Sequence, residues 1–167
     1  MKILAATDFL ADGAPVLDFA ATLAQQTGGK MYLLHALEPT MINTYGTFCN
    51  GVYDDPLMGP LEGTPPVQGK GTNHLLAAAD MKAKQLASEI SAKYNIPIYG
   101  KAEEAEDIVA CVNDFCKRHA IDLIAIGNRH HTLLTSILLG NTAEKLVRAA
   151  TIPVTVVPCG PKASGAV

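Results

Sequence analysis

The sequence predicts an α/β fold, a parallel sheet covered by helices on both faces. Short apolar runs of strand length alternate along the chain with segments in which apolar residues recur at the 3.6-residue spacing of a helix. The runs show no apolar–polar alternation, which is typical of strands buried on both faces. Five such runs separated by helices favour a doubly wound sheet of the Rossmann-like or flavodoxin-like type, with strand order 3-2-1-4-5.

The first half of the chain supplies two strands and two helices. The first helix is expected to start after Asp12, because Pro15 is well tolerated in a first turn, and to end at Gly28–Gly29. A long run of apolar residues at helical spacing follows, and Asn95 and Pro97 indicate where that helix ends. In order, the elements are strand Ile3–Ala6, helix Val16–Ala24, strand Met31–Leu37 and helix Leu76–Tyr94.

The second half continues the alternation to the end of the domain. The third strand carries the weakest signal, and the fourth is a clean buried run. In order, the elements are strand Ile98–Ala102, helix Ile108–Cys116, strand Leu123–Ile126, helix Ala143–Ala150 and strand Pro153–Val157. We therefore expect one domain over residues 1–160, followed by a flexible tail over 161–167.

Composition excludes several classes of protein. The 167 residues are 49% hydrophobic and carry a formal net charge of −3, so a protein that relies on contacts to a nucleic-acid backbone is not expected. Neither a membrane span nor a signal-peptide core is present in the sequence, which favours the cytoplasm. The four cysteines show neither CxxC nor zinc spacing with histidine, so free thiols are expected.

Residues 39–71 concentrate chain-breaking residues. The chain has 14 glycines and 10 prolines, and eleven of these residues fall in this segment. A connection this long is usually functional or disordered. One interpretation is an insertion without a defined role. The other is a lid or a loop that binds a protein partner, with Tyr45, Phe48 and Tyr53 as anchors.

The ends of strands 1 and 4 are where a ligand is expected. A doubly wound sheet binds ligands outside the carboxyl ends of its strands, at the point where strand order reverses. Asp8 follows strand 1, and Gly127 is interpreted as ending strand 4 in a sharp turn that a ligand can approach. Gly140 and then Asn141–Thr142 open the last helix, whose free N–H groups suit a phosphate.

The sequence resembles the universal stress protein family over nearly its whole length. The resemblance is carried by Ile3–Phe9, Leu33–Ala36, Asp122–Gly127, Leu138–Gly140 and Ile152–Pro158. The nucleotide-binding branch of that family has Gly, two residues, Gly, nine residues, Gly and then Ser or Thr. Gly127 and Gly140 match the outer glycines, whereas His130 stands at the middle glycine and Asn141 at the Ser/Thr position, with Thr142 next.

The resemblance implies a regulatory protein that binds ATP or AMP, with or without Mg²⁺. Asp8 and the backbone around Ala36 would hold adenine and ribose, and the glycine-rich turn would hold the phosphates. It also implies a homodimer through the apolar edge strand Val154–Val157. The implied nucleotide-binding residues are Thr7, Asp8, Ala36, Gly127, Arg129, His130, Gly140, Asn141 and Thr142.

A second function stays open beside this one. Because His130 replaces a glycine, the chain is also compatible with a nucleotide-free dimeric module that acts through protein partners. Asp8 is compatible with a simple helix cap, and His35 is typical of a satisfied histidine in the core or at its rim. His130–His131 lack further metal ligands nearby, so a solvated loop pair is favoured over a metal site.

Enzymatic chemistry has little support in the sequence. A rival interpretation is an enzyme of the related nucleotide-binding α/β group, such as an adenylyl transferase or ATP pyrophosphatase, but its H-x-G-H or S-G-G-x-D-S signature is absent. The signatures G-x-S-x-G and G-x-x-x-x-G-K-[ST] are absent as well. Neither a nucleophile–base pair nor a carboxylate beyond Asp8 stands out at the expected site. We therefore expect no catalytic residues, and at most slow ATP hydrolysis.

Overall fold

The computed structural model describes residues 1–9, 13–38, 72–129 and 141–159, with backbone alone at 72–74, 129 and 141. The strands are β1 (Lys2–Ala6), β2 (Lys30–Leu37), β3 (Ile98–Glu104), β4 (Leu123–Arg129) and β5 (Val154–Cys159). The helices are α1 (Ala14–Gln26), α2 (Thr72–Tyr94), α3 (Ile108–His119) and α4 (Asn141–Ala149). The predicted insertion at 39–71 and the tail at 161–167 lie outside the described residues.

The five strands form one parallel sheet in the order β3-β2-β1-β4-β5. Ala5 of β1 lies between Leu33 of β2 and Ala125 of β4, which fixes the register at the centre of the sheet. The predicted fold class and strand order are confirmed. Three strands extend past their predicted ends, and β4 continues through Gly127 to Arg129.

Two apolar cores lie on the two faces of the sheet. One contains Val16 and Ala20 of α1 and Ala79 and Ala83 of α2, packed against β1 and β2. The other contains Val112 and Phe115 of α3 and Leu146 of α4, packed against the opposite face. Because side chains alternate along a strand, Leu33 enters the first core and Leu34 the second.

Local signals set the helix ends. The carboxylate of Asp107 accepts hydrogen bonds from the N–H groups of Val109 and Ala110, at 2.8 and 3.1 Å, and so caps α3. α1 has Pro15 in its first turn and stops before Gly28, which has a φ of +59°. α3 ends where Ala120 takes up the left-handed conformation, with a φ of +52°.

α2 packs closely against β3, which is one edge strand of the sheet. A Cβ on Gly100 would collide with the backbone carbonyl of Ala83, so glycine lets the helix approach the strand closely. Asp80 of α2 accepts a hydrogen bond from the N–H of Ala102 at 3.0 Å and forms ion pairs with Lys84 and Lys101. At this strand edge the outward N–H of Ala102 is therefore already paired with α2.

The β5 edge is more open. Val154, Thr155, Val156 and Val157 are all partly exposed. Pro158 has no N–H to donate, and proline in a sheet is largely confined to edge strands. Among the described helices, none combines the length and apolarity needed to cross a membrane.

Candidate functional site

A cavity of about 300 Å³ opens at the carboxyl ends of the central strands. Its walls come from both faces of the sheet, and most of them are apolar. Side-chain polar groups come from Thr7, Asp8 and Thr142. The lining residues are Ala6, Thr7, Asp8, Gly13, Val16, Leu34, Ala36, Ile108, Val112, Ile126, Gly127, Thr142, Ala143 and Cys159.

Gly127 lies in the wall of the cavity, where its neighbours leave little room for a side chain. A Cβ at this position would lie 2.9 Å from Cys159 Sγ and 3.1 Å from Val16 Cγ2, both closer than an ordinary contact. Its φ is outside the left-handed region, and the residue lies inside β4. The expectation of a sharp turn at Gly127 was therefore wrong: glycine is needed here for space, not for an unusual backbone conformation.

The segment Thr7–Phe9 carries Asp8 to the cavity and is attached to β2. The Thr7 N–H donates to the carbonyl of Leu34 at 3.0 Å, and the Phe9 N–H donates to Thr7 Oγ1 at 3.1 Å. Phe9 has a φ of +63°, a conformation that costs a non-glycine residue about 1–2 kcal/mol. Such a residue persists only when its surroundings hold it there.

His35 lies behind this segment, on the α1 and α2 face of the sheet. Its Nδ1 is 2.8 Å from the carbonyl oxygen of Thr7, and its ring centroid is 4.3 Å from that of Phe9. Burial lowers the pKa of His35; the Lys82 charge acts in the same direction, and the Thr7 hydrogen bond opposes it. The buried imidazole is therefore neutral at pH 7. Its expected role as a satisfied histidine, not a ligand, agrees with these contacts.

The amino end of α4 forms part of the opposite wall. The helix starts at Asn141, and Thr142 and Ala143 line the cavity. The first N–H groups of a helix lack partners within it and carry partial positive charge, so this end suits an anion. Asp8 supplies a hydrogen-bond acceptor at the β1 side of the same cavity.

Five of the nine predicted site residues come together in this cavity: Thr7, Asp8, Ala36, Gly127 and Thr142. Arg129 ends β4 beside Cys159, and Asn141 begins α4; only their backbones are described. His130 and Gly140 lie outside the described residues. So do the His130–His131 pair and the amides of Ala11 and Asp12, which Asp8 would cap if it served only as a helix cap.

The sequence prediction missed the apolar half of the cavity. Val16, Ile108 and Val112 belong to helix faces whose periodicity was recognised, but that periodicity did not show that they continue to a ligand cavity. Cys159 lies in register with Arg129, two residues beyond the Gly127–Val157 pair. Extending the fifth strand past Val157 would have placed it beside the site.

The other described cysteines belong to α3. Cys111 and Cys116 are free thiols, as expected, and burial raises the pKa of each to about 11. In Cys111 the neighbouring Glu103 carboxylate adds to this effect. Within the described parts of the chain, no three His, Cys, Asp or Glu side chains are grouped so that they could hold a metal ion.

The family model for universal stress proteins matches residues 58–158, and the chain belongs to the universal stress protein family. Comparison with curated proteins gave no match. The structure is similar to universal stress protein UspA from Lactobacillus plantarum, with a TM-score of 0.64 and 15% identity, over 94% of this chain and 97% of that one.

Two further structural relatives contain a nucleotide. The universal stress protein from Archaeoglobus fulgidus in complex with dAMP has a TM-score of 0.61 and 19% identity, over 94% of this chain and 97% of that one. A universal stress protein in complex with cAMP has a TM-score of 0.62 and 13% identity, over 96% and 98%. At these identities the likeness establishes the fold.

Proposed function

We propose that the chain is a regulatory universal stress protein that binds an adenine nucleotide, ATP or AMP, in the cavity at the ends of β1 and β4. The observation that carries this proposal is the convergence of Asp8, Gly127 and Thr142 on one cavity. Two proteins of the same fold are described as complexes with dAMP and cAMP, which supports the choice of an adenine nucleotide.

The cavity has the chemistry that such a ligand needs. Apolar side chains from α1 and α3 suit the faces of a purine, and the Asp8 carboxylate can accept hydrogen bonds from ribose hydroxyls. The phosphates would lie toward the first turn of α4, where helix N–H groups favour negative charge. Arg129, His130, Gly140 and Asn141 belong to the proposed phosphate side on sequence grounds.

Binding is proposed as the function, without catalysis. Among the described residues that line the cavity, Asp8 is the only carboxylate. Efficient phosphoryl transfer needs a positioned metal and a group that orients the nucleophile. We therefore infer at most slow hydrolysis of ATP, with Mg²⁺ as an optional companion of the phosphates.

The test is thermal unfolding of the purified protein with ATP, AMP and GTP. A ligand at 100 times its Kd adds about 2.7 kcal/mol to the free energy of unfolding. For a domain of this size that raises Tm by roughly 5–11 °C. Asp8→Ala should reduce the shift and Gly127→Val should abolish it, whereas Asp114→Ala, an exposed carboxylate on α3, should leave it unchanged. A wild-type protein with no shift at millimolar ATP and AMP would refute the proposal.

Replacement of the middle glycine by His130 favours the second candidate, a nucleotide-free module that acts through a protein partner. This candidate predicts no shift with either nucleotide. Its proposed contact is the 39–71 segment, which lies outside the described residues. The cytoplasmic location is likewise proposed from the sequence.

We also propose a homodimer through β5. The Ile124 N–H donates to the Pro153 carbonyl, so by alternation the N–H groups of Val154 and Val156 point away from β4. Edge strands with free backbone groups readily pair with another chain. Sedimentation velocity at micromolar concentration should show a dimer. Val156→Pro, which removes an outward N–H, should sediment as a monomer and keep the circular dichroism spectrum of the folded protein. A monomeric wild-type protein would contradict the proposed interface.

A further inference from the structure

His35 is a buried histidine that the proposed function leaves unused. Its side chain is 7% exposed, and it is not among the residues that line the cavity. Yet its side chain makes a hydrogen bond and a ring contact to Thr7–Phe9, the segment that brings Asp8 to the cavity. Its Nδ1 lies 2.8 Å from the Thr7 carbonyl oxygen, and its ring packs on the ring of Phe9.

These two contacts lie on either side of Asp8. Thr7 precedes Asp8 and Phe9 follows it, so His35 fixes the backbone before and after the carboxylate. Phe9 has a φ of +63°, and this backbone conformation needs outside contacts to persist. The Thr7 N–H bonds to the Leu34 carbonyl of β2, and the Phe9 N–H bonds to Thr7 Oγ1, but neither of these bonds holds the Thr7 carbonyl or the Phe9 ring.

We propose that His35 is the positioning residue of Asp8: it holds Thr7–Phe9 in the conformation in which the Asp8 carboxylate faces the nucleotide cavity. The inference rests on the proposed function for its effect on binding. The structural part, the restraint of Thr7–Phe9 by His35, stands independently and is measurable in the protein without nucleotide.

The chemistry of the contact selects the variants. A carbonyl oxygen only accepts hydrogen bonds, so Nδ1 of His35 carries the proton. An asparagine amide nitrogen can replace that donor without the ring. A phenylalanine can replace the ring packed on Phe9 without the donor. His35→Asn and His35→Phe therefore separate the hydrogen bond from the ring contact.

The binding experiment is calorimetric titration of ATP and AMP into wild type, the two His35 variants, and each of them with Asp8→Ala. His35→Phe should weaken binding about tenfold, because a Thr7 carbonyl without its donor would leave the segment in the binding-competent conformation only about a tenth of the time. His35→Asn should restore the affinity to within about threefold of wild type. In the Asp8→Ala background, His35→Phe should have no further effect, because contacts that act through one group are not additive.

A second experiment measures the segment itself by amide exchange in the nucleotide-free protein. His35→Phe should increase the exchange rate of the Phe9 amide, and His35→Asn should keep it near wild type. Tyr94→Phe is the matched control, since it removes a partly buried hydrogen bond to Asp18, and neither residue lines the cavity. It should change neither Phe9 exchange nor nucleotide affinity.

The outcomes distinguish the two proposals. If wild type binds neither ATP nor AMP, the proposed function fails, and the exchange rates still decide whether His35 holds the segment. An unchanged Phe9 exchange rate in His35→Phe overturns the positioning role. So does an equal loss of affinity with and without Asp8, because the histidine would then act by another route.

Discussion

The requirement for space at Gly127 gives the sharpest test of the cavity wall. Gly127→Ala adds one methyl group, and its carbon would lie 2.9 Å from Cys159 Sγ and 3.1 Å from Val16 Cγ2. Both atoms belong to buried side chains, with Cys159 and Val16 each 2% exposed. The neighbours must therefore move within a packed interior, which has little free volume.

The magnitude follows from two opposing effects. Overpacking of this kind costs about 1–3 kcal/mol. Alanine at a compatible backbone position also restricts the unfolded chain, which returns about 0.4–1 kcal/mol. We expect a net loss of about 1–2 kcal/mol in the free energy of unfolding, or a Tm roughly 2–8 °C lower.

The assay is urea unfolding followed by far-ultraviolet circular dichroism, since the chain has no tryptophan. Gly127→Ala is compared with wild type, Cys159→Ala and the double variant. Removing Sγ relieves the nearest contact, so the two changes should couple favourably by about 1 kcal/mol. Gly13→Ala is the control: its Cβ would meet Thr7 Oγ1 at an ordinary 3.4 Å. The gain from the unfolded chain and the loss of glycine at the N-cap of α1 oppose each other, so we expect a change within about 0.5 kcal/mol.

Two results would refute this reasoning. One is a Gly127→Ala protein that is more stable than wild type by the full gain from the unfolded chain. The other is the same loss of stability with and without Cys159 Sγ, because the predicted contact would then not be the cause.

Three further predictions concern other parts of the fold. The lowered pKa of His35 means that the unfolded state takes up its proton first. The contribution of neutral His35 to the free energy of unfolding is therefore complete above pH 7. It is lost as the pH falls below 6.5, the ordinary pKa of histidine. Between pH 7.5 and pH 5.5, the free energy of unfolding measured in urea should fall by up to about 1.4 kcal/mol more in wild type than in His35→Asn. Lys82 stays charged at both pH values, and equal decreases in the two proteins would contradict the prediction. Asp107→Ala should cost about 1 kcal/mol through the lost cap of α3, and Asp107→Asn should retain most of it in thermal unfolding. At pH 8, Cys111 and Cys116, with a pKa of about 11, should react with iodoacetamide about 100-fold more slowly than a thiol of pKa 9, measured by peptide mass spectrometry; fast labelling of the folded protein would contradict this.

The sheet was predictable because its signal is local and repeated. Buried parallel strands are short apolar runs. Because Asp8 directly follows β1, it was expected at the carboxyl ends of the strands, where the site lies. The reason for glycine at 127 was not predictable, because the space it preserves is bounded by α1 and β5, which are distant in sequence. The positive φ of Phe9 has no local signal either, since the residues that contact this segment, such as His35, are distant in sequence.

The two edges of the sheet also differ in what they offer to another strand. On the β3 side, Asp80 already accepts the hydrogen bond that Ala102 would offer to an incoming strand. On the β5 side, the outward N–H groups extend only until Pro158 interrupts them. If two copies pair through β5 as proposed, that edge is used in both, and the pairing would stop at a dimer. Because α2 packs directly on Gly100 and its Asp80 holds the Ala102 N–H, the β3 side offers an incoming strand less than the β5 side does.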